Sequence, residues 1–203
     1  MKIFLLSNNL SLSHVDPFQK LIGKLKVERA LFISAAAVPY GLDPKPDWVA
    51  ESLDKVKQFA EKVDETSLET YSYIPEDLSR YGFIFVSGGN TFYLAYRLAE
   101  TGFDIKIKQY IDAGGVYSGS SAGAIILMDN IELFALADNP DAAPQKHPGL
   151  GVLDFALIPH IDNEKYGHVM KEVAKTYQEM GLEVVVLKDN QALLIDGQSK
   201  EVI

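Results

Sequence analysis

The sequence predicts a three-layer α/β fold in which helices cover both faces of a mostly parallel sheet. Two patterns lead to this prediction: short apolar runs alternate with longer amphipathic stretches, and several of the runs are apolar at nearly every position. A sheet with one wet face would alternate apolar and polar residues, so uniform runs indicate strands that are covered on both faces. Strand followed by helix, repeated along the chain, favours parallel pairing through helical crossovers.

Six apolar runs are expected to be strands. In chain order they are KIFLL (2–6), RALFISAAA (29–37), GFIFVSGG (82–89), GGVYSGS (114–120), FALIPH (155–160) and EVVVLKD (183–189). Two more strands are expected at the end of the chain, where QALLIDGQSKEVI (191–203) is typical of a hairpin that turns at Asp196-Gly197.

Three amphipathic stretches between these runs are expected to be helices. Residues 47–63 carry apolar side chains at helical spacing after Pro46, which suits a helix start. Residues 91–102 and 163–181 each end at a glycine that suits a helix C-cap. The polar stretch 136–149 shows no periodicity and predicts a loop.

The composition limits the class of protein. The 203 residues are enough for one sizeable core and few for two, so we expect one domain over residues 1–203. The absence of cysteine excludes disulfides and a cysteine nucleophile and is typical of a cytoplasmic protein. A net charge of −9 disfavours nucleic acid and anionic membranes as partners, and no membrane span is expected. We expect a monomer or a homodimer.

Motifs for nucleotides and metals are missing from the sequence. Neither the phosphate-binding G-x-x-x-x-G-K-S/T nor G-x-G-x-x-G occurs, and without cysteine or H-x-x-x-H no group of residues has the spacing of metal ligands. We therefore expect no cofactor and no metal.

The serine-rich segment after the fourth predicted strand is the first candidate for chemistry. Ligands bind beyond the carboxyl ends of the strands in an open α/β sheet, so residues that directly follow strands are the ones to inspect. Residues 119–123, GSSAG, fit G-x-S-x-G in one register, which makes Ser121 the candidate nucleophile and Ser120 the variable position. On this motif alone, an ordinary glycine- and serine-rich turn stays an alternative.

The glycine pair after the third predicted strand is the candidate oxyanion site. Gly88 and Gly89 could bring a backbone N–H group close to a ligand, and the N–H of Ala122, directly after the candidate nucleophile, would be a second donor. Asn90 can cap the helix that follows. A simple helix cap or a phosphate cradle is the alternative.

His160 and Asp189 follow the last two predicted core strands. They could supply the base that a serine nucleophile needs and the carboxylate that orients the base. Alternatively, His160 binds backbone groups at a strand end, and Asp189-Asn190 forms a simple turn.

Four segments occur in a characteristic order: SGGNTFYL (87–94), YSGSSAGAI (117–125), GLGVLDFALIPH (149–160) and, more weakly, VVVLKDNQA (184–192). Together they resemble the peptidase E family of serine peptidases, in the order and at about the spacing of that family. The resemblance spans the chain from the first strand to the final hairpin. It implies a flavodoxin-like fold of the class I glutamine amidotransferase type, with serine in place of the cysteine of those enzymes.

The resemblance also implies roles for the candidate residues. They are Ser121 as nucleophile, His160 as base, and Gly88, Gly89 and Ala122 as the oxyanion hole. The third triad member in the family is an acidic residue, often glutamate, after the last core strand. Asp189 occupies this place, and Asp162, two residues from the histidine, is the alternative.

Substrate preference is predicted less directly. The aspartyl dipeptidases of the family carry arginine in the helix after the histidine, whereas this chain has Lys165, Lys171 and Lys175 there. A lysine cannot bind a carboxylate through two parallel hydrogen bonds as arginine does. We expect a small peptide with a free N-terminus as substrate, with aspartyl peptides cleaved less exclusively, and assign substrate binding to Asn90 and Lys171.

Two other classes of function stay open at this point. An α/β-hydrolase esterase also uses G-x-S-x-G, but its triad order would need Asp141 or Asp154 as the acid before His160. A non-enzymatic sensor or scaffold with this fold would have no need of both Ser121 and His160.

Overall fold

The computed structural model describes all 203 residues. It contains nine strands: β1 (Lys2–Leu6), β2 (Val27–Ile33), β3 (Ala60–Thr66), β4 (Phe83–Val86), β5 (Val116–Ser120), β6 (Ala156–Ile158), β7 (Val184–Val186), β8 (Ala192–Asp196) and β9 (Ser199–Val202). Seven of them form the main sheet in the order β3-β2-β4-β5-β1-β8-β9. Strands β1 to β5 pair in parallel, and β8 and β9 continue the sheet in antiparallel pairing. Strands β6 and β7 form a separate parallel pair.

Six α-helices connect and cover the strands: α1 (Leu12–Ile22), α2 (Asp47–Val56), α3 (Thr91–Thr101), α4 (Phe103–Asp112), α5 (Ala122–Ile125) and α6 (Gly167–Glu179). Short 3₁₀ turns occur at Ala35–Tyr40, Glu132–Leu136 and Pro140–Ala142. No helix is long and apolar enough to cross a membrane.

The main sheet has an apolar core on each face. Ile3 and Leu5 of β1 pack into one cluster together with residues of α3, α4 and α6, while Phe4 and Leu6 pack into a second cluster with residues of α1 and α2. Successive side chains of a strand point to opposite faces, so the uniformly apolar runs serve both cores. The predicted α/β architecture with a mostly parallel sheet is confirmed.

Three local predictions are wrong. The helix expected over residues 47–63 ends at Val56, and Ala60 begins β3. This strand lies at the edge of the sheet, where much of its sequence AEKVDET is exposed to solvent. Polar residues are tolerated there, so no apolar run identifies the strand in the sequence. The expected strand over residues 29–37 stops at Ile33, because the alanines that follow form a 3₁₀ turn. The final hairpin turns one residue later than expected, since Asp196 pairs with Ser199.

The order of the strands decides where the candidate residues meet. Strands β4, β5 and β1 are neighbours in parallel, so their carboxyl ends lie side by side. The end of the β6–β7 pair joins this edge through Ser7, whose Oγ accepts a hydrogen bond from His160 N at 2.7 Å and donates to Leu187 O at 3.5 Å.

Candidate active site

The serine elbow between β5 and α5 is strained and tightly packed. Ser121 has φ 49° and ψ −112°, a backbone conformation that side-chain-bearing residues rarely adopt. The strand reaches the helix within this one residue because glycines flank it. A Cβ on Gly119 would lie 2.3 Å from the carbonyl oxygen of Gly123, and a Cβ on Gly123 would lie 2.1 Å from that of Val86. The fold therefore requires both glycines of the motif.

Ser121, His160 and Asp189 form a continuous chain of contacts. The Nε2 atom of His160 lies 3.0 Å from Ser121 Oγ, and its Nδ1 atom lies 2.5 Å from Asp189 Oδ1. When Nδ1–H donates to the carboxylate, Nε2 is free to accept the serine hydroxyl proton. His160 also has a positive φ, 60°. Both ends of the ring are thus engaged in the geometry that an activated serine needs.

Two neighbouring side chains hold Asp189 in place. Asn163 Nδ2 donates to Asp189 Oδ2 at 2.6 Å, and the backbone N–H of Asp189 donates to Asp162 Oδ1 at 2.8 Å. The carboxylate against the imidazole is therefore that of Asp189, while Asp162 supports the loop that carries it. Neither Asp141 nor Asp154 contacts His160. The chain therefore lacks the serine, acid, histidine order along the sequence that α/β-hydrolase esterases use.

The candidate oxyanion donors are arranged differently from expectation. The N–H groups of Gly89 and Ala122 donate no hydrogen bond within the chain, but Gly88 N donates to Ser120 Oγ at 3.1 Å. A Cβ on Gly89 would lie 2.2 Å from Ala36 O, so this position accepts only glycine. Gly89 and Ala122 are thus the available donors. The expectation for Gly88 needs correction, because its N–H is already bonded to the variable serine of the motif.

Asn90 does not line the cavity as a substrate-binding side chain would. Its Oδ1 accepts a hydrogen bond from Tyr93 N at 2.8 Å as the cap of α3, and its Nδ2 donates to Asn139 O at 2.8 Å. The side chain is buried, and both of its polar atoms are engaged within the chain. Its cap role, which the sequence also indicates, is the one that the geometry favours.

Lys171, also predicted to bind substrate, is exposed on α6 away from the cavity. The preceding residue, Met170, lines the cavity, and successive residues of an α-helix are rotated by about 100°. The lysine therefore points elsewhere. Lys165 lies nearer the cavity mouth, with its ammonium 4.7 Å from the ring centre of Tyr166, a lining residue.

A cavity of about 210 Å³ opens beside Ser121 and His160. Its lining combines three kinds of side chain. The apolar ones are Ile125, Phe134, Ala137 and Met170, those with amide or hydroxyl groups include Asn8, Asn9 and Ser52, and the further aromatic ones are Tyr40, Trp48 and Tyr166. Asp138 is the one carboxylate in the lining, which contains no lysine or arginine.

Sequence reasoning overlooked several residues of this site. Ser7, Asn8 and Asn9 directly follow β1, so the rule that ligands bind beyond strand ends could have found them. Asp138 lies in the long polar loop, where neither spacing nor motif separates it from Asp141.

A serine, a histidine and a carboxylate in contact at the carboxyl edge of a parallel sheet define a hydrolase-like site in an α/β protein. The sequence profile of Peptidase family S51 matches residues 3–203, and the chain belongs to this family of serine peptidases. It is 30% identical to an uncharacterized peptidase of Pasteurella multocida over 98% of this chain and 95% of the relative. It is 29% identical to peptidase E of Salmonella arizonae over 80% of this chain and 70% of that protein.

A solved structure agrees with these sequence relationships. The crystal structure of a peptidase E candidate from Listeria monocytogenes EGD-e superposes with a TM-score of 0.81 at 26% identity, over 100% of this chain and 97% of the other. The predicted relationship to peptidase E is confirmed, and the chain is a peptidase.

Proposed function

We propose that the chain is a serine-type peptidase that hydrolyses short peptides through an acyl-enzyme on Ser121. The observation that carries the proposal is the chain of contacts from Ser121 Oγ to His160 at 3.0 Å and from His160 to Asp189 at 2.5 Å. The first distance lies within the range of about 2.6–3.2 Å that proton transfer between nucleophile and base requires. The second joins the base to the carboxylate that orients it.

In the proposed reaction, Ser121 Oγ attacks the scissile carbonyl carbon while His160 Nε2 takes the hydroxyl proton. The negative charge on the carbonyl oxygen is stabilised by the N–H groups of Gly89 and Ala122. Collapse of this intermediate breaks the C–N bond, and the leaving amine takes the proton from His160. A water molecule then hydrolyses the ester by the same steps, and the serine is regenerated.

Asp189 would keep the imidazole in the tautomer that leaves Nε2 free to accept a proton, and would stabilise the imidazolium that forms. The cavity volume of about 210 Å³ supports a small peptide as substrate. A preference for an aspartyl first residue stays a prediction. Because Lys171 faces away, such a preference would depend on Lys165 at the mouth, which is exposed and lacks the fork of an arginine.

The test is labelling with a fluorophosphonate probe, followed by mapping of the labelled peptide. We expect the label on Ser121, its loss in Ser121→Ala, and its retention in Ser120→Ala. A label that survives Ser121→Ala would exclude the proposed nucleophile. A panel of aminoacyl nitroanilides then tests the first residue: cleavage of lysyl and leucyl substrates as fast as aspartyl ones would exclude an acidic preference.

A further inference from the structure

The base and one oxyanion donor approach Ser121 from opposite sides. Strand β5 leads into Ser121 and lies in the sheet between β4 and β1. The segment after β4 carries the proposed oxyanion donor Gly89, and the segment after β1 begins with Ser7. The backbone N–H of His160 donates to Ser7 Oγ at 2.7 Å, so the base stands on the β1 side. Because His160 gives its proton to the leaving amine, the leaving part of a substrate also lies on this side.

Asn9, two residues after Ser7, lines the cavity with one end of its amide unengaged. Its Oδ1 accepts hydrogen bonds from the backbone N–H of Leu10 at 3.0 Å and from Ser52 Oγ at 3.1 Å. A backbone N–H can only donate, so these bonds fix which end of the amide is the oxygen. Its Nδ2 donates to no group of the chain and is not one of the buried unsatisfied atoms. Asn9 therefore offers a fixed N–H donor to a ligand.

The first acceptor of a peptide on the leaving side is a carbonyl group. The leaving nitrogen and the next carbonyl carbon are separated by one Cα atom, about 2.5 Å. A nitrogen that takes its proton from His160 thus brings this carbonyl to the β1 side, which Asn9 lines. In a dipeptide the group is a free carboxylate, whereas in a longer peptide or a dipeptide amide it is a neutral carbonyl.

The charges around the cavity favour a neutral carbonyl at this point. No lysine or arginine lines the cavity, and both Asp138 in the lining and Asp189 against His160 are acidic. Lys165 at the mouth is exposed, with its ammonium over the ring of Tyr166. An amide N–H can bond either a carbonyl or a carboxylate, but a carboxylate removed from water without a cation carries a much larger cost. A leaving segment without a charge here should therefore bind better.

We propose that Asn9 binds the first carbonyl group on the leaving side of the scissile bond, and that the enzyme therefore favours peptides that continue past this carbonyl, or end in an amide, over dipeptides with a free carboxylate. The inference rests on the proposed serine peptidase function and adds the residue that selects the leaving segment. The contact is present before and during acyl transfer, so its loss should appear mainly in KM.

Binding to the inactive variant Ser121→Ala tests the selection directly. Trp48 is the only tryptophan of the chain and lines the cavity, so its fluorescence reports binding. The ligands are Leu-Ala, Leu-Ala-amide and Leu-Ala-Ala. We expect the amide and the tripeptide to bind at least about tenfold more tightly than Leu-Ala, because they bring no carboxylate to this side. Equal or tighter binding of Leu-Ala would overturn the proposal, and loss of that binding in Lys165→Gln would assign the carboxylate to the lysine.

Asn9→Asp replaces the donor with an acceptor of the same shape and keeps the Oδ1 acceptor that holds the side chain. In Ser121→Ala carrying Asn9→Asp, affinity for Leu-Ala-amide should fall by at least about tenfold. Asn130→Asp is the matched control, since its Oδ1 likewise accepts a backbone N–H, that of Glu132 at 2.9 Å, outside the cavity lining. It adds the same charge and should change affinity by less than about twofold. An equal fall in both variants, or no fall in Asn9→Asp, would overturn the role of Asn9.

The active enzyme separates this inference from the proposed function. A nitroanilide has no carbonyl one Cα atom beyond the leaving nitrogen, so Asn9→Asp should raise KM for Leu-Ala-amide by about tenfold or more and KM for leucyl nitroanilide by less than about threefold. Equal changes in KM would mean that Asn9 acts on the fold rather than on the leaving segment, and would overturn the proposal.

Labelling provides the last distinction. A fluorophosphonate loses only fluoride when the serine attacks, so Asn9→Asp should be labelled on Ser121 within about twofold of the wild-type rate. Normal labelling with an unchanged KM for Leu-Ala-amide would overturn the role of Asn9 and leave the serine mechanism intact. Failure of wild-type labelling would count against the serine mechanism and leave the binding results to stand.

Discussion

The two halves of the candidate site are built in different ways. The nucleophile half, Ser121 with its flanking glycines, belongs to the main sheet and is fixed by backbone atoms in close contact. The base half, His160 and Asp189, follows a two-stranded sheet of three residues per strand. It is fixed by hydrogen bonds in which the side chains of Ser7 and Asp162 accept and that of Asn163 donates. Close packing tolerates no added atom, whereas hydrogen bonds can be removed singly. The base half should therefore respond to mutation in steps.

The largest effect should come from removing either member of the reacting pair. We expect Ser121→Ala and His160→Ala each to lower kcat/KM by about 10⁴-fold or more. The double variant should lose no more activity than either single variant, because the two residues act as a unit. Steady-state rates on a leucyl or aspartyl nitroanilide give the comparison. Additive losses in the double variant would mean that the 3.0 Å contact is not the working one.

Asp189→Asn should rank second. The amide keeps the shape of the side chain but favours the wrong tautomer of His160, so we expect kcat to fall by about 10³- to 10⁴-fold. Asp162→Asn is the matched control: its side-chain oxygen can still accept the N–H of Asp189, and the loss should stay below about tenfold. The reverse ranking would make Asp162 the orienting carboxylate.

Ser7→Ala tests the link between the two halves. It removes the acceptor of the His160 N–H, so the loop that carries the imidazole should shift; we expect kcat to fall by about 10- to 100-fold. The matched control is Ser118→Ala, an equally buried serine that bonds Phe4 O on the same sheet away from His160. We expect both variants to lose a similar free energy of unfolding in urea denaturation, and only Ser7→Ala to lose kcat. Equal kcat values would show that the loop holds its position without Ser7.

Apart from the control variants, Ser120→Ala should produce the smallest change in rate. Ser120 Oγ accepts the N–H of Gly88, next to the proposed oxyanion donor Gly89. Without this bond we expect kcat to fall by about tenfold, well below the loss expected for deleting an oxyanion donor itself, with KM unchanged. A KM effect of similar size would place Ser120 in substrate binding, since its side chain also lines the cavity.

The same division explains what could be read from the sequence. The nucleophile half depends on short-range patterns: G-x-S-x-G allows one register, and the neighbouring strands β4 (FIFV) and β1 (KIFLL) are almost entirely apolar. His160 and Asp189 were found because each follows a strand, although only the fold brings them together. The prediction that Lys171 binds substrate is wrong, because Met170 faces the cavity and the next residue of the helix points in another direction. Sequence spacing alone does not fix the rotation of α6 about its axis.

The sequence gives weaker indications of strand β3 and of the position of Asp138. The sequence of β3 continues a helical pattern, because an edge strand with polar residues has no apolar run to mark it. Asp138 reaches the cavity only through the path of residues 136–149, which Asn90 ties to α3 through its bond to Asn139. Long-range contacts of this kind are a property of the folded chain, and no local pattern encodes them.

Backbone strain at two site residues lowers the stability of the fold. Three residues other than glycine have a positive φ, namely Leu68, Ser121 and His160, and two of these are the proposed reacting pair. Such conformations cost about 1–3 kcal/mol each, so Ser121→Gly should unfold at a higher temperature than Ser121→Ala by differential scanning calorimetry. Selection for stability alone would replace both side chains with glycine. Serine and histidine at these two positions therefore lower the stability of the fold, a cost that the proposed reaction explains because it needs both side chains.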